Sequence, residues 1–266
     1  MKVMTYNIRH GLGNQLFGGS ATSGGGLVDL ERTAAVIRSQ DADVVALQEV
    51  DRFWPRSGSI DQPSELARML GMESRFAANM ILPADGSGRP AGEYGFLILS
   101  RLPIVSSIHE RFPVIEPYEV RGFIEIRIEI GGVGIVAVIC THLEVGNARD
   151  PADSVRQRAE QAAIVAQRVS SSGVPTIVMG DFNAQPTDPE LAALLGVESG
   201  LRDAWAVASD GGTGFTIPAI PIGLPDRRID YILASTAFFV ISASVIVDDL
   251  TRQASDHYPV VAVLEI

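Results

Sequence analysis

Asp181 and Asn183 stand in Ile177–Pro186 (IVMGDFNAQP), where the apolar run Val174–Met179 stops at Gly180 and an acid and an amide follow. The same pattern recurs along the chain. Asn7 lies at the end of Lys2–Ile8, Glu49 follows Asp43–Leu47, and His142 follows Val133–Cys140. Asp230 opens Ile229–Leu233, and Asp256-His257 comes just before Val260–Ile266. Carboxylate and amide oxygens are hard donors suited to Mg²⁺ or Mn²⁺. A cation held by Glu49 could polarise a phosphoryl oxygen. An Asp near a His can fix the imidazole, and Asn and His side chains can hydrogen-bond non-bridging phosphate oxygens. With no Ser or Cys nucleophile elbow, this is an inventory for metal-assisted hydrolysis of a phosphoester.

Each residue also has a plain structural use. Asn7 can cap a turn, Asp181 and Asn183 can form an Asx-turn, and Asp256 can sit in a turn. Glu49 can be a surface acid, His142 a structural histidine, and Asp230 a partner of Arg227 or Arg228. These uses are independent of one another, and one shared site accounts for all of them together.

Short strands must position these groups. The pattern predicts strands at Lys2–Ile8, Asp43–Leu47, Ser74–Met80, Tyr94–Ser100, Ile104–Phe112, Gly122–Ile130, Val133–Cys140, Val174–Met179, Ile229–Leu233, Phe238–Val247 and Val260–Ile266. Helices are predicted at Asp29–Ser39, with Asp29 as N-cap, at Pro63–Leu70 before Gly71, at Ala152–Ser170, and at Asp188–Leu195 with Asp188 as N-cap. Arg9–Gly26 is a loop with seven glycines, and Gly211–Pro225 is a Gly/Pro-rich loop; both are candidate rim elements. About eleven strands and four helices, with hairpins mixed among β–helix–β units, predict an α/β domain spanning 1–266. Its two mixed β-sheets pack face to face and are flanked by helices.

The 266 residues carry a net charge of −11, with 46% apolar and 20% charged residues. That balance disfavours a protein whose affinity comes from clustered Lys and Arg on nucleic-acid phosphates, although a bound cation can invert the local field. One cysteine, Cys140, excludes an intrachain disulfide and reads as a buried thiol. No leader is recognised at Met1–Met4, and no apolar run approaches the roughly 18 residues of a membrane span. A soluble, cytoplasmic protein with no obligate protein partner is expected.

Seven motifs in order resemble those of the endonuclease/exonuclease/phosphatase superfamily, the DNase I-like metal-dependent phosphohydrolases. They are MTYNIRHG (Met4–Gly11), DVVALQEVD (Asp43–Asp51), YGFLILSRLPI (Tyr94–Ile104), THLE (Thr141–Glu144), MGDFNAQP (Met179–Pro186), RRIDYIL (Arg227–Leu233) and SDHYPV (Ser255–Val260). The resemblance implies a four-layer sandwich. It implies Glu49 as principal ligand of Mg²⁺ or Mn²⁺, Asn7 as its close neighbour, and Asp256 near the metal. It implies that Asp181 deprotonates the attacking water, that Asn183 positions that water or a phosphate oxygen, that His257 stabilises phosphoryl oxygens with Asp230 orienting its ring, and that His142 contacts the phosphate. Arg121 is either a phosphate contact or a strand-edge cation. His142 stands where abasic-site endonucleases carry Tyr, and Arg9 where they carry Asp, which points toward the phosphatase, phosphodiesterase and DNase I-like branches. Phe96 stands where Asn is commoner in the third motif, which removes one polar group that could reach substrate. The expected activity is that of a small bacterial-type phosphatase or phosphodiesterase acting on a small or lipid-derived phosphoester. A DNA or RNA nuclease is the alternative, and a noncatalytic binding module the third.

Overall fold

Along Lys2–Asn7 (β1) the side chains of Val3 and of Met4 and Tyr6 enter different apolar clusters, because successive residues of a strand face opposite ways. Val3 meets the inner face of a second sheet. Met4 and Tyr6 meet Leu30, Ala34 and Ile37 of a helix, Leu30–Gln40 (α1). A strand buried on both sides reads as a continuous apolar run, and this is why the site-bearing strands are so apolar.

The computed structural model describes residues 1–13, 28–84, 86, 88, 90–113, 118–146, 150–209, 211–218 and 225–266. Most of the glycine-rich loop after Arg9, and residues 219–224 of the second candidate rim loop, lie outside the described residues. The remaining strands are Val44–Arg52 (β2), Glu73–Leu82 (β3), Gly92–Ser100 (β4), Ile104–Arg111 (β5), Gly122–Ile130 (β6), Gly134–His142 (β7), Thr176–Asp181 (β8), Leu201–Asp203 (β9), Asp230–Ser235 (β10), Phe239–Val245 (β11) and Val260–Glu265 (β12). One sheet has the order β11-β12-β1-β2-β4-β3 and the other β5-β6-β7-β8-β10-β9. Both are mixed: β1 runs parallel to β2, and β7 parallel to β8.

Val3, Ala46, Phe96 and Ile98 of the first sheet face Ile124, Ile126, Val138, Ile177, Met179 and Ile232 of the second. Outside the first sheet lie α1 and Gln62–Leu70 (α2); outside the second lies Pro151–Ser170 (α3), through Ala162 and Val165. The four-layer sandwich expected from the sequence is therefore the observed architecture. Among the described residues no helix is long and apolar enough to cross a membrane.

Four details differ from expectation. Asp188–Leu195 is not one helix: a 3-10 turn, Pro189–Leu191, leads into a single turn, Ala192–Leu195 (α4), and the Asp188 carboxylate accepts from the Gln185 amide instead of capping it. The short β9, Ala204–Ala208 (α5) and Asp249–Ala254 (α6) hold too few residues to display a period. Phe96, at a position considered for substrate contact, is 1% exposed in the core between the sheets and cannot reach a ligand. Finally, β2 does not end before Glu49; it continues to Arg52 through a bulge between Leu47 and Val50.

Candidate active site

Register assembles the site. In the parallel pair β7–β8, His142 stands opposite Asp181, and in the antiparallel pair β8–β10, Asp230 does. Asp181, the last residue of β8, is thus flanked on both sides within its own sheet. Gly180 makes the approach possible: a Cβ there would lie 1.9 Å from the Thr141 carbonyl oxygen. The facing sheet supplies Asn7 from the end of β1, whose Nδ2 donates to Asp181 Oδ2 and to Glu49 Oε1, both at 3.1 Å. The bulge in β2 aims Glu49 at this point; its backbone sits at φ +58°.

Asp181 is the hub. Its Oδ1 accepts from the Asn183 backbone N–H at 2.9 Å, so the Asx-turn and the site are the same feature. Its Oδ2 lies 3.3 Å from His142 Nε2 and 3.7 Å from His257 Nε2. The other ring nitrogen of His257 meets Asp230 Oδ2 at 2.9 Å. Arg227 pairs with Asp226 and Arg228 with Asp203, which leaves Asp230 to the histidine. Ser255 Oγ donates to the Asn7 carbonyl at 2.7 Å and fixes the turn that carries His257.

Burial sets the proton inventory. It raises the Asp181 carboxyl to about 7, aided by the Asp230 charge and opposed by His257, the Asn183 amide and Asn7. Burial alone would push His257 down, but Asp230 and Asp181 outweigh it and hold the ring well above the usual histidine range, as an imidazolium. His142 goes the other way: burial and then Arg121 hold it well below that range. Arg121 can only donate, and its Nη1 lies 3.0 Å from His142 Nδ1. The proton of neutral His142 is therefore assigned to Nε2, facing Asp181. The Asn183 side-chain nitrogen, 2.9 Å from the same atom, meets it donor to donor and donates instead to the Leu143 carbonyl at 3.1 Å.

Arg121 is no solvent-facing strand-edge cation. It is buried behind His142, and its Nη2 pairs with Glu119 at 2.8 Å. Asp256 stands apart on the rim, 38% exposed, with its carboxylate 3.5 Å from Arg9 Nε. Cys140 lies in the inter-sheet core, and burial pushes its thiol up to about 12, so it is inert. Sequence reasoning missed His10, whose Nε2 is 3.3 Å from Glu49 Oε2, and Tyr94, whose ring packs on His10 at 5.5 Å. Both lie inside motifs quoted above, and that membership was the only signal.

The donors fit a divalent cation. Burial would raise the Glu49 carboxyl, but the His10 ring 3.3 Å away and the Asn7 hydrogen bond outweigh it and hold it at about 2, so it stays ionised. Asp181, Asp230 and His257 also bring ligand atoms within 4.8 Å of one another, and Asp230 Oδ1 is buried without a hydrogen-bond partner among the described residues. A proton already joins His257 to Asp230, however, so Glu49 is the better anchor.

Two mixed six-stranded sheets packed face to face between helices, with this polar cluster at one rim, form a DNase I-like architecture. Residues 4–257 match the model of the Endonuclease/Exonuclease/phosphatase family, and the chain belongs to that family. It is 31% identical to an endonuclease/exonuclease/phosphatase from Beutenbergia cavernae DSM 12333, with a TM-score of 0.79 over 100% of this chain and 71% of that one. A mannosyl-6-phosphatase of Bacteroides thetaiotaomicron VPI-5482 shares the fold at 18% identity, with a TM-score of 0.70 and 100% of both chains covered. So does the human Nocturnin catalytic domain with bound sulfate, at 20% identity and a TM-score of 0.70 over 100% of this chain and 94% of that one.

Proposed function

We propose that the chain is a single-domain, divalent-metal-dependent hydrolase of a phosphoester in a small or lipid-derived molecule. The observation that carries this reading is the convergence on Asp181 of Asn7, Asn183, His142 and the His257–Asp230 pair, drawn from both sheets. Mg²⁺ or Mn²⁺ would supply Lewis-acid polarisation of a phosphoryl oxygen when bound, and Glu49 is the residue that would hold it, with Asn7 beside it and Asp256 further out on the rim.

Asp181, poised near neutrality, accepts a proton from the attacking water. The water oxygen forms the new P–O bond, and the ester P–O bond breaks to release the alcohol, whose oxygen takes a proton from solvent. His257, held protonated by Asp230, donates to a non-bridging oxygen as charge develops on it. Asn183 and the Nε2–H of His142 bind the phosphate beside it, and Arg121 adds its charge through His142. Rigid strand ends hold these groups, because misplacement by about 1 Å can cost on the order of 10²-fold in rate.

Two features support a small substrate. The chain is acidic, at −11. A cavity of about 390 Å³ adjoins Asn183, walled by Val145, Ala184, Ile217 and Ile229 and edged by Arg227 and Asp188, which suits a compact leaving group better than a polynucleotide.

The test is turnover of a phosphoester panel with Mg²⁺ or Mn²⁺: a monoester, a generic diester, a lipid phosphodiester, a sugar phosphate, single-stranded DNA and RNA. Metal-dependent turnover that Asp181→Asn and His257→Ala each reduce at least 10³-fold is expected. Full activity in Asp181→Asn would refute the mechanism, and a preference for DNA or RNA would move the substrate to the nuclease class.

A further inference from the structure

The mechanism leaves His10 unused, yet the structure spends backbone strain on placing it. His10 and Glu49 face each other from φ +56° and φ +58°. Each departs from the right-handed and extended regions at a cost of about 1–2 kcal/mol, and such residues persist where their surroundings over-determine them, often at ligand clamps. Here the surroundings do so. Gln62, fully buried, donates from Nε2 to the His10 carbonyl at 2.6 Å and accepts at Oε1 from the Asp51 backbone N–H at 3.0 Å. One side chain thus ties the His10 turn to the strand that carries Glu49. Tyr94 closes a third side of the imidazole.

The ring lies between two carboxylates. Nε2 is 3.3 Å from Glu49 Oε2, and Nδ1 is 3.7 Å from Asp51 Oδ1. Asp51 is buried and gripped by Arg56 through both oxygens, at 2.9 and 2.8 Å. Nδ1 is itself buried with no hydrogen-bond partner among the described residues. Asp51 stands on the far side of the ring from Glu49, at 3.7 Å and so beyond hydrogen-bond distance, on the side where metal-binding histidines take a carboxylate partner. Neighbouring ligands of an octahedral ion at about 2.1 Å stand about 3 Å apart, close to the separation of His10 Nε2 and Glu49 Oε2. Asn7 is less suited to the task as placed, because its Oδ1 accepts from the Arg9 amide and it presents nitrogen to Glu49.

We propose that His10 is a nitrogen ligand of the cation held by Glu49, and that it biases the site toward Mn²⁺ over Mg²⁺. Mg²⁺ demands oxygen donors, whereas imidazole suits first-row transition ions. The proposal rests on the metal-dependent reading given above.

The test measures binding apart from turnover. Mn²⁺ is titrated into wild type, His10→Ala, His10→Gln and Glu49→Ala, with free ion followed by electron paramagnetic resonance and Mg²⁺ added as competitor. Electron spin echo spectra of the bound Mn²⁺ report nitrogen coordination, and circular dichroism checks folding of each variant. The expected result is a loss of Mn²⁺ affinity of about 10–100-fold in both His10 variants. Mg²⁺ affinity should change by less than about threefold, and the nitrogen modulation should disappear. Mn²⁺ affinity within threefold of wild type in His10→Gln, or an unchanged nitrogen signal, overturns the role of His10. Unaltered Mn²⁺ binding in Glu49→Ala overturns the metal site itself, a separate failure. A wild type that binds no Mn²⁺ overturns both.

Discussion

Replacing Asp181 by Asn should make the metal-free protein more stable, increasingly so as the pH rises. In the folded chain burial, and then the Asp230 charge, raise this carboxyl from 3.8 to about 7. Its ionisation is therefore harder in the folded state than in the unfolded one. Below about pH 3.8 both states are protonated and nothing is lost; the penalty grows between 3.8 and about 7 and is complete above that. The ionised carboxylate therefore destabilises the folded chain by on the order of a few kcal/mol, shared with the Asp230–His257 pair that it faces. Asn keeps the acceptor for the Asn183 N–H but loses its charge toward His257 and meets the Asn7 amide nitrogen donor to donor. About half of the gain should survive, roughly 2 kcal/mol, which is about 6 °C in Tm for a chain of this length. The assay is thermal unfolding by circular dichroism from about pH 4 to pH 9, with chelator present throughout. The gap between Asp181→Asn and wild type should open through neutrality and narrow when Mn²⁺ is added. A gap that is flat with pH, or a wild type more stable at pH 8, would show that Asp181 is not the strained carboxyl described here.

Asp230→Asn removes the charge 2.9 Å from His257 Nδ1. It should lower kcat/KM by roughly 10²–10³ at neutral pH and move the optimum to acid, since Asp230 holds up both His257 and Asp181; an unchanged optimum in the pH–rate profile would count against the pairing. Arg121→Gln should raise the His142 pKa while burial keeps it below 6.5, and should cost at least about tenfold in kcat, with the ring titration followed by NMR. Gly180→Ala forces a Cβ onto the Thr141 carbonyl and should cost more than about 3 kcal/mol by urea unfolding. Gly131→Ala, where nothing lies within 4 Å, should stay within about 0.5 kcal/mol.

The order of strands, the two-sheet architecture and most of the polar residues that converge were legible in the sequence. Alternation and apolar runs are local signals, and a strand buried on both faces must change character abruptly where it leaves the core, as at Asn7, His142 and Asp181. Tertiary structure decided what those residues do for one another. His142 and Asp230 reach Asp181 because strands distant in sequence pair in one register, and no local pattern encodes register between distant segments. Glu49 reads as the residue after a strand but is aimed by a bulge inside one, which depends on the partner strand opposite. Phe96 reads as a lost polar contact but faces the second sheet, because the direction of a side chain follows from which face is covered. His10 gave no periodic signal at all, since its place beside Glu49 is fixed by a left-handed turn and by Gln62, fifty-two residues away in the chain. Residue types and runs carry the chemistry in one dimension, whereas proton positions and ligand directions arise from burial and from charges that meet only when both sheets close.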